Sequence, residues 1–221
     1  MPTSPLWNSF PELIARVRED HKKQKEVSFG GHNFEHAVAV AQYGQMIAED
    51  EKTGTLAWVA GLSHNTDRIF PGSSDEEIAK KVGEYLALTP FAENEKFLII
   101  EAVLNHSKKN DSKDNPITVI LKDADRLDNA GALVCIRSAQ LYHNLPPVDY
   151  THLFADSNVT FKNPGSIARD IANCVEWESW LRMPKAKILG APKFAFMRAF
   201  LAELERDVRE VGLHPYPFPP E

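Results

Sequence analysis

Three short stretches carry side chains that together suit a divalent metal: Gly31-His32-Asn33-Phe34-Glu35-His36, Gly61-Leu62-Ser63-His64-Asn65-Thr66-Asp67-Arg68 and Lys122-Asp123-Ala124-Asp125-Arg126-Leu127-Asp128. Neutral imidazole nitrogens and a carboxylate oxygen are donors that a divalent transition metal takes. His64 closes the apolar run Leu56-Ala57-Trp58-Val59-Ala60 and is followed by a second oxygen donor, so a buried helix ends on two adjacent ligand types. A polar pair at a helix end also serves as a cap. What sets this pair apart is its company: His32 and His36 upstream, and Asp123, Asp125 and Asp128 downstream. The aspartates interrupt an otherwise apolar helical pattern, and a buried carboxylate is costly unless a cation compensates it. Asp125 and Asp128 are three apart and share a face, whereas Asp123 points elsewhere. An Asp–Arg ion-pair network within the helix is the plain structural alternative.

Positioning these groups is the task of helices, which the sequence punctuates with Gly, Pro and Asn. Leu13, Ile14 and Val17 mark one side of a charged helix from Phe10 to Glu26, with Lys22, Lys23 and Lys25 in a solvated last turn, and Ser28 to Gly31 break it. Phe34, Ala37, Val38, Ala41, Met46 and Ile47 sustain a helix over 33–49, with Asn33 as its N-cap. The next helix, 55–64, has almost no polar face, which suits the centre of a bundle. Ser74 and Glu77 form a capping box that opens a helix to Leu88, and Pro90 ends that element. Helices over 94–107, 117–130 and 132–142 follow, and His106 falls in the last turn of the first of them, where a histidine also serves as a dipole partner.

The stretch 144–163 has no clear period, and its length marks it as a functional loop or a covering lid. Two more helices, 166–182 and 193–211, are separated by Pro184 and by Gly190-Ala191-Pro192. The tail Pro215 to Pro220 is expected to lie extended. No stretch alternates as a strand does, so the expectation is an all-α fold in one domain over 1–221, with a metal-binding core at 28–143 and C-terminal helices at 164–212 packed on it.

Composition narrows the function classes. A chain of 221 residues is long enough to bury a substantial core. Its formal charge of −6 offers no general attraction to nucleic acid or to an anionic membrane. Cys135 and Cys174 are far apart, without CxxC spacing, and read as buried thiols in a reducing cytoplasm. The N-terminus lacks a secretory pattern, and no stretch approaches the roughly 18 apolar residues of a membrane span.

The three stretches, in this order and helical context, resemble the H…HD…D signature of the HD-domain metal-dependent phosphohydrolases, with His36, the pair His64-Asn65, and Asp125 at the signature positions. The likeness spans about residues 28–143. The stretch Trp177 to Glu210, with its Met183-Pro184 break, is similar to a bacterial branch of the same family. What this resemblance implies is a helical bundle binding a divalent metal (Mn, Mg, Zn, Fe, Co or Ni) through His36, His64, Asn65 and Asp125. It also implies hydrolysis of a phosphoester, such as a nucleotide or another small phosphorylated molecule, by a metal-activated water. His32 and His106 match family positions for pocket histidines that bind phosphate or pass protons, and Arg68 and Arg126 could neutralise phosphate charge.

The doublet departs from the family pattern, because Asn65 stands where the family has aspartate. An amide oxygen can ligate but brings no charge, so two histidines, one amide and one carboxylate leave a divalent ion about one unit positive, and affinity should fall. Three outcomes follow: a weakly held catalytic metal, a site assisted by Asp67 or Glu35, or a degenerate HD domain acting as a ligand-binding or scaffold module. A rival enzyme reading takes His32-Asn33-Phe34-Glu35-His36 as the inverted zinc-protease motif, with Glu101 as third ligand. It leaves His64 and the aspartate cluster idle.

Overall fold

The computed structural model describes residues 6–23, 31–155, 159–161 and 163–216. It is all-α, with no strand among the described residues beyond an isolated bridge between Thr160 and Asn163. The chain divides into two compact units. One comprises residues 1–128 with 181–187, and the other residues 129–180 with 188–221.

The first unit carries α1 (Leu6–Ser9), α2 (Pro11–Lys23), α3 (Phe34–Ile47), α4 (Glu51–Ser63), α5 (Thr66–Ile69), α6 (Asp75–Leu86), α7 (Glu93–Asn105) and α8 (Pro116–Asp128). The expected end of α2 and the break at 28–31 fall largely outside the described residues. Helix α3 starts where Asn33 accepts the backbone N–H of His36 at 2.9 Å, and it buries Phe34, His36, Ala37, Val40, Ala41, Gly44 and Ile47 along one stripe. Helix α4 begins four residues earlier than its apolar run predicts, because Asp50 caps it through the N–H and the hydroxyl of Thr53. From Leu56 onward it is buried throughout, packed against α3, α7 and α8. Leu13, Leu62, Leu121 and Leu127 are fully buried in this unit, each contributing roughly 1.5–3 kcal/mol.

The approach of α3 to α4 is set by glycine. A Cβ built on Gly61 would lie 2.6 Å from both Cα and N of Ala41, and one on Gly44 would lie 3.1 Å from the carbonyl oxygen of Ala57. Only hydrogen at position 61 allows the two backbones this close, and the contact brings the first turn of α3 beside the end of α4.

The loop before α8 is fixed by charge. Lys122, 1 % exposed, donates to both oxygens of Asp114 and to the carbonyl of Lys109, and Arg182 reaches the same Asp114 at 2.8 Å. Asp123, fully buried, accepts the backbone N–H groups of Arg182 and Met183 at 2.7 Å each, which holds residues 181–187 in this unit.

The second unit contains α9 (Ala132–Leu141), α10 (Ile167–Val175), a 3₁₀ turn (Glu176–Trp180) and most of α11 (Pro184–Glu210). Two expectations are corrected here. The helix predicted over 166–182 stops at Val175 and tightens into the 3₁₀ turn. The break predicted at Gly190-Ala191-Pro192 does not occur, and α11 runs through Pro192 from Pro184. Pro184 at the first helical position needs no N–H partner. The carbonyl that Pro192 deprives of its bond belongs to Ile188, on a solvent-facing turn where water can satisfy it. In the 144–163 stretch, Val148 and Leu153 are buried with Ala168 and Val208. The tail from residue 217, expected to be extended, lies outside the described residues.

Candidate metal centre

The end of α4, the first turn of α3 and the last turn of α8 converge on one point. His36 Nε2 lies 3.2 Å from His64 Nε2 and 3.3 Å from Asp125 Oδ1, and His64 Nε2 is 3.9 Å from the same oxygen. These three donor atoms lie within 4.8 Å of one another and form the candidate metal-binding group among the described residues. Both histidines are buried, at 0 % and 1 % exposure, and Asp125 is partly buried.

The outer nitrogens fix the tautomers. His36 Nδ1 is 2.6 Å from Asp128 Oδ2, and His64 Nδ1 is 2.6 Å from the carbonyl oxygen of Gly61. A carbonyl only accepts, so His64 carries its proton on Nδ1, and the Asp128 carboxylate draws the His36 proton the same way. The two Nε2 lone pairs then face each other at 3.2 Å, an arrangement that calls for a cation between them. Without a metal, that cation is a proton on His36. Burial works against its charge, but the hydrogen bonds it donates to Asp125 and Asp128 outweigh burial and raise its pKa to about 9. Burial, then the charge on His36, holds His64 well below the usual imidazole range. Asp125 is pushed up by burial, yet the hydrogen bond of His36 and the neighbouring imidazoles bring it below the usual carboxylate range.

Asn65 is 1 % exposed, and its Nδ2 donates to the carbonyl of His32 at 3.1 Å, leaving Oδ1 buried without a hydrogen-bond donor. An orphaned buried amide oxygen directly after His64 fits the donor set of two imidazoles and a carboxylate. His32 stands edge-on to His36 with ring centroids 5.5 Å apart, and its Nδ1 is buried without a partner. Burial lowers its pKa to about 4. His106 caps α7, bonds the carbonyl of Val103 through Nδ1 at 2.6 Å, and stands edge-on to His64 at 5.2 Å.

The remaining candidates are spread more widely. Asp67 is outside the three-residue group; one carboxylate oxygen is 3.5 Å from Arg68 Nε and the other is buried without a partner. Arg68 is exposed, as is Glu35. Arg126 is buried and bonds Asp123 at 3.4 Å, and burial lowers its pKa against the opposing pull of Asp123 and Asp125. The ion pair within α8 therefore exists, but it employs Asp123, while Asp125 and Asp128 both turn to His36. Glu101 is engaged by Asn115 Nδ2 at 2.7 Å. Sequence reasoning left two participants without a role. Asp128 was legible from its three-residue spacing to Asp125, whereas nothing in the sequence marks the Gly61 carbonyl.

An all-helical fold thus brings two buried histidines and a partly buried aspartate together as a candidate metal-binding group. Residues 33–130 match the family model described as HD domain, so that stretch of the chain is an HD domain. No curated protein matches the sequence. Among solved structures, an HD-superfamily hydrolase from Bacillus thuringiensis is similar at 18 % identity and a TM-score of 0.68, over 91 % of this chain and 97 % of that one. Bacillus subtilis YpgQ, solved in complex with ADP, is similar at 18 % identity and 0.64, over 92 % and 98 %. A predicted HD-superfamily hydrolase from an uncultured Thermotogales bacterium is similar at 20 % identity and 0.57, over 91 % and 92 %. These likenesses show the fold.

Proposed function

We propose that His36, His64, Asn65 and Asp125 hold one divalent metal ion and that the chain hydrolyses a phosphoester of a small molecule, with nucleotides the first class to test. The observation that carries this reading is the pair of Nε2 acceptors 3.2 Å apart with an aspartate oxygen at 3.3 Å from one of them. A bound divalent ion supplies an acidified water and polarises a phosphoryl oxygen.

The chain's own residues prepare that chemistry. Asp128 and the Gly61 carbonyl hold protons on the outer ring nitrogens, so the inner nitrogens stay acceptors. His106 has its Nδ1 committed to Val103, which makes Nε2 the nitrogen that takes or passes a proton. Arg126 keeps a buried positive charge beside Asp125, suited to a phosphate dianion, and His32 lends a ring nitrogen to the same end. Asp67 and Arg68, paired with each other two and three residues after Asn65, are proposed as a base and as a phosphate contact. Support for a nucleotide is the ADP complex of the similar YpgQ fold. No helix among the described residues is long and apolar enough to cross a membrane.

Metal analysis of the purified chain, combined with a phosphoester screen in manganese, magnesium, zinc, iron, cobalt and nickel, tests this reading. The expected result is about one bound ion per chain, lost in His36→Ala and in Asp125→Ala, together with hydrolysis that tracks the metal. Failure to take up manganese or zinc overturns it. Metal without hydrolysis of any phosphoester leaves the ligand-binding alternative that Asn65 favours.

A further inference from the structure

Helix α2 carries Arg16, Arg18, Lys22 and Lys23, and these four cations sort into two pairs. Arg16 and Lys23 are both neutralised by the buried Asp20, at 3.0 Å each. Arg18 and Lys22 have no ion-pair partner among the described residues. Those two, one helical turn apart, are the ones that line a cavity of about 410 Å³, together with His21, Asn33, Phe34 and Glu35. Two like charges at this spacing weaken a helix, and an anion between them removes that repulsion. Aromatic rings rather than an acid hold the Arg18 guanidinium, which lies 4.8 Å over Phe34 and 5.7 Å over Trp7. A guanidinium over a ring keeps its N–H fork for an anion. The facing wall is the N-cap and the first two residues of α3, so the positive end of that helix dipole adds to the field. His21, 2 % exposed, gives its Nδ1 proton to the carbonyl of Val17 at 2.9 Å, and burial lowers its pKa, so it forms a neutral inner wall. Glu35, exposed, is the one acid lining the cavity.

We propose that this cavity is a second binding site, apart from the metal centre, for the phosphate group of a small organic molecule, held by Arg18 and Lys22. A phosphate monoester carries about −1.5 to −2 at pH 7, which answers two cations where a single carboxylate answers one. The volume falls in the roughly 300–1,000 Å³ of small-molecule sites, so the organic part of such a ligand has room beside its phosphate. The site does not rest on the metal reading. His36, one residue beyond Glu35, turns instead to His64, Asp125 and Asp128.

Calorimetric titration of inorganic pyrophosphate into the full chain, stripped of metal, is the test. The expected result is one binding event that weakens as salt is raised. Arg18→Gln and Lys22→Gln should each weaken it about tenfold or more, since each removes a charge-assisted hydrogen bond. Arg18→Lys keeps the charge without the fork and should fall between wild type and Arg18→Gln. Glu35→Gln should tighten binding about threefold at low salt, a gain that a misfolded chain cannot give. Asp125→Ala should bind as wild type does. Absence of binding at millimolar pyrophosphate overturns the proposal, and so does an affinity indifferent to both glutamine variants. Binding lost in Asp125→Ala would put the pyrophosphate at the metal centre and overturn it too. Succinate held as tightly as pyrophosphate would overturn phosphate as the ligand class.

Discussion

Asp128 accepts the Nδ1 proton of His36 at 2.6 Å, and that bond decides which nitrogen of His36 faces His64 and Asp125. A carboxylate behind a ligand imidazole fixes its ring and raises its basicity, and losing such a partner typically costs 10–100-fold in metal affinity. Asp128→Ala should therefore bind manganese or zinc about 10–100-fold more weakly than wild type in a chelator competition. Asp128→Asn should fall between them, since an amide oxygen still accepts the proton. Equal affinity in all three would remove Asp128 from the site.

Asn65 sets the charge of the proposed first shell. With two imidazoles and one carboxylate, a divalent ion keeps about one positive charge there, and Asn65→Asp supplies the missing anion at a buried position. Retention against a chelator should rise about tenfold or more, equivalent to roughly 1.4 kcal/mol, with any phosphoester hydrolysis rising alongside. If this variant behaves as wild type while Asp67→Ala abolishes binding, the ligand is Asp67, whose buried oxygen also lacks a partner.

The helices around this site are legible where their signals are local. The Asn33 cap, the Ser74–Glu77 box and the apolar stripes of α3 and α4 are all readable within a few residues. Helix α11 is not, because what supports its start is Asp123, about sixty residues upstream, accepting the N–H groups of Arg182 and Met183. The same long-range bonds explain why residues 181–187 belong with the first unit. For the centre, residue types and spacing marked His64 with His32, His36 and the aspartates at 123, 125 and 128, and the resemblance to the HD signature singled out His36, His64 and Asp125. The tautomers depended on a backbone carbonyl, which every residue possesses and which only folding aims.

The Lys122–Asp114 pair responds unequally to loss of either partner. Lys122 is 1 % exposed, and Asp114→Asn removes the carboxylate from its ammonium and from Arg182, which should destabilise the fold by about 3–5 kcal/mol. Lys122→Met, apolar and similar in volume, should cost less because no charge is left buried. Burial pushes the Asp114 carboxyl up, but the bonds from Lys122 and Arg182 hold it below its ordinary value. Its contribution is therefore present above about pH 4 and disappears as acid takes the pH down through the lowered native value. Denaturant titrations should show wild type and Asp114→Asn converging below that point.

Gly61 serves the site twice, through the hydrogen that lets α4 touch α3 and through the carbonyl that orients His64. A Cβ there would press on the backbone of Ala41 at 2.6 Å, where no flexible side chain can yield, so the helices must separate. Overpacking of this kind costs typically 1–3 kcal/mol, and Gly61→Ala should lower the melting temperature accordingly. Gly54→Ala, whose nearest contact would be 3.5 Å, should be neutral or stabilising through helix propensity. Separation of α3 from α4 also widens the 3.2 Å gap between the two Nε2 atoms, so Gly61→Ala should lose metal affinity beyond what its stability loss explains. Measuring binding well below both melting temperatures separates the two effects. A Gly61→Ala chain that is less stable yet binds metal as wild type does would show that the helix crossing can relax without moving the histidines.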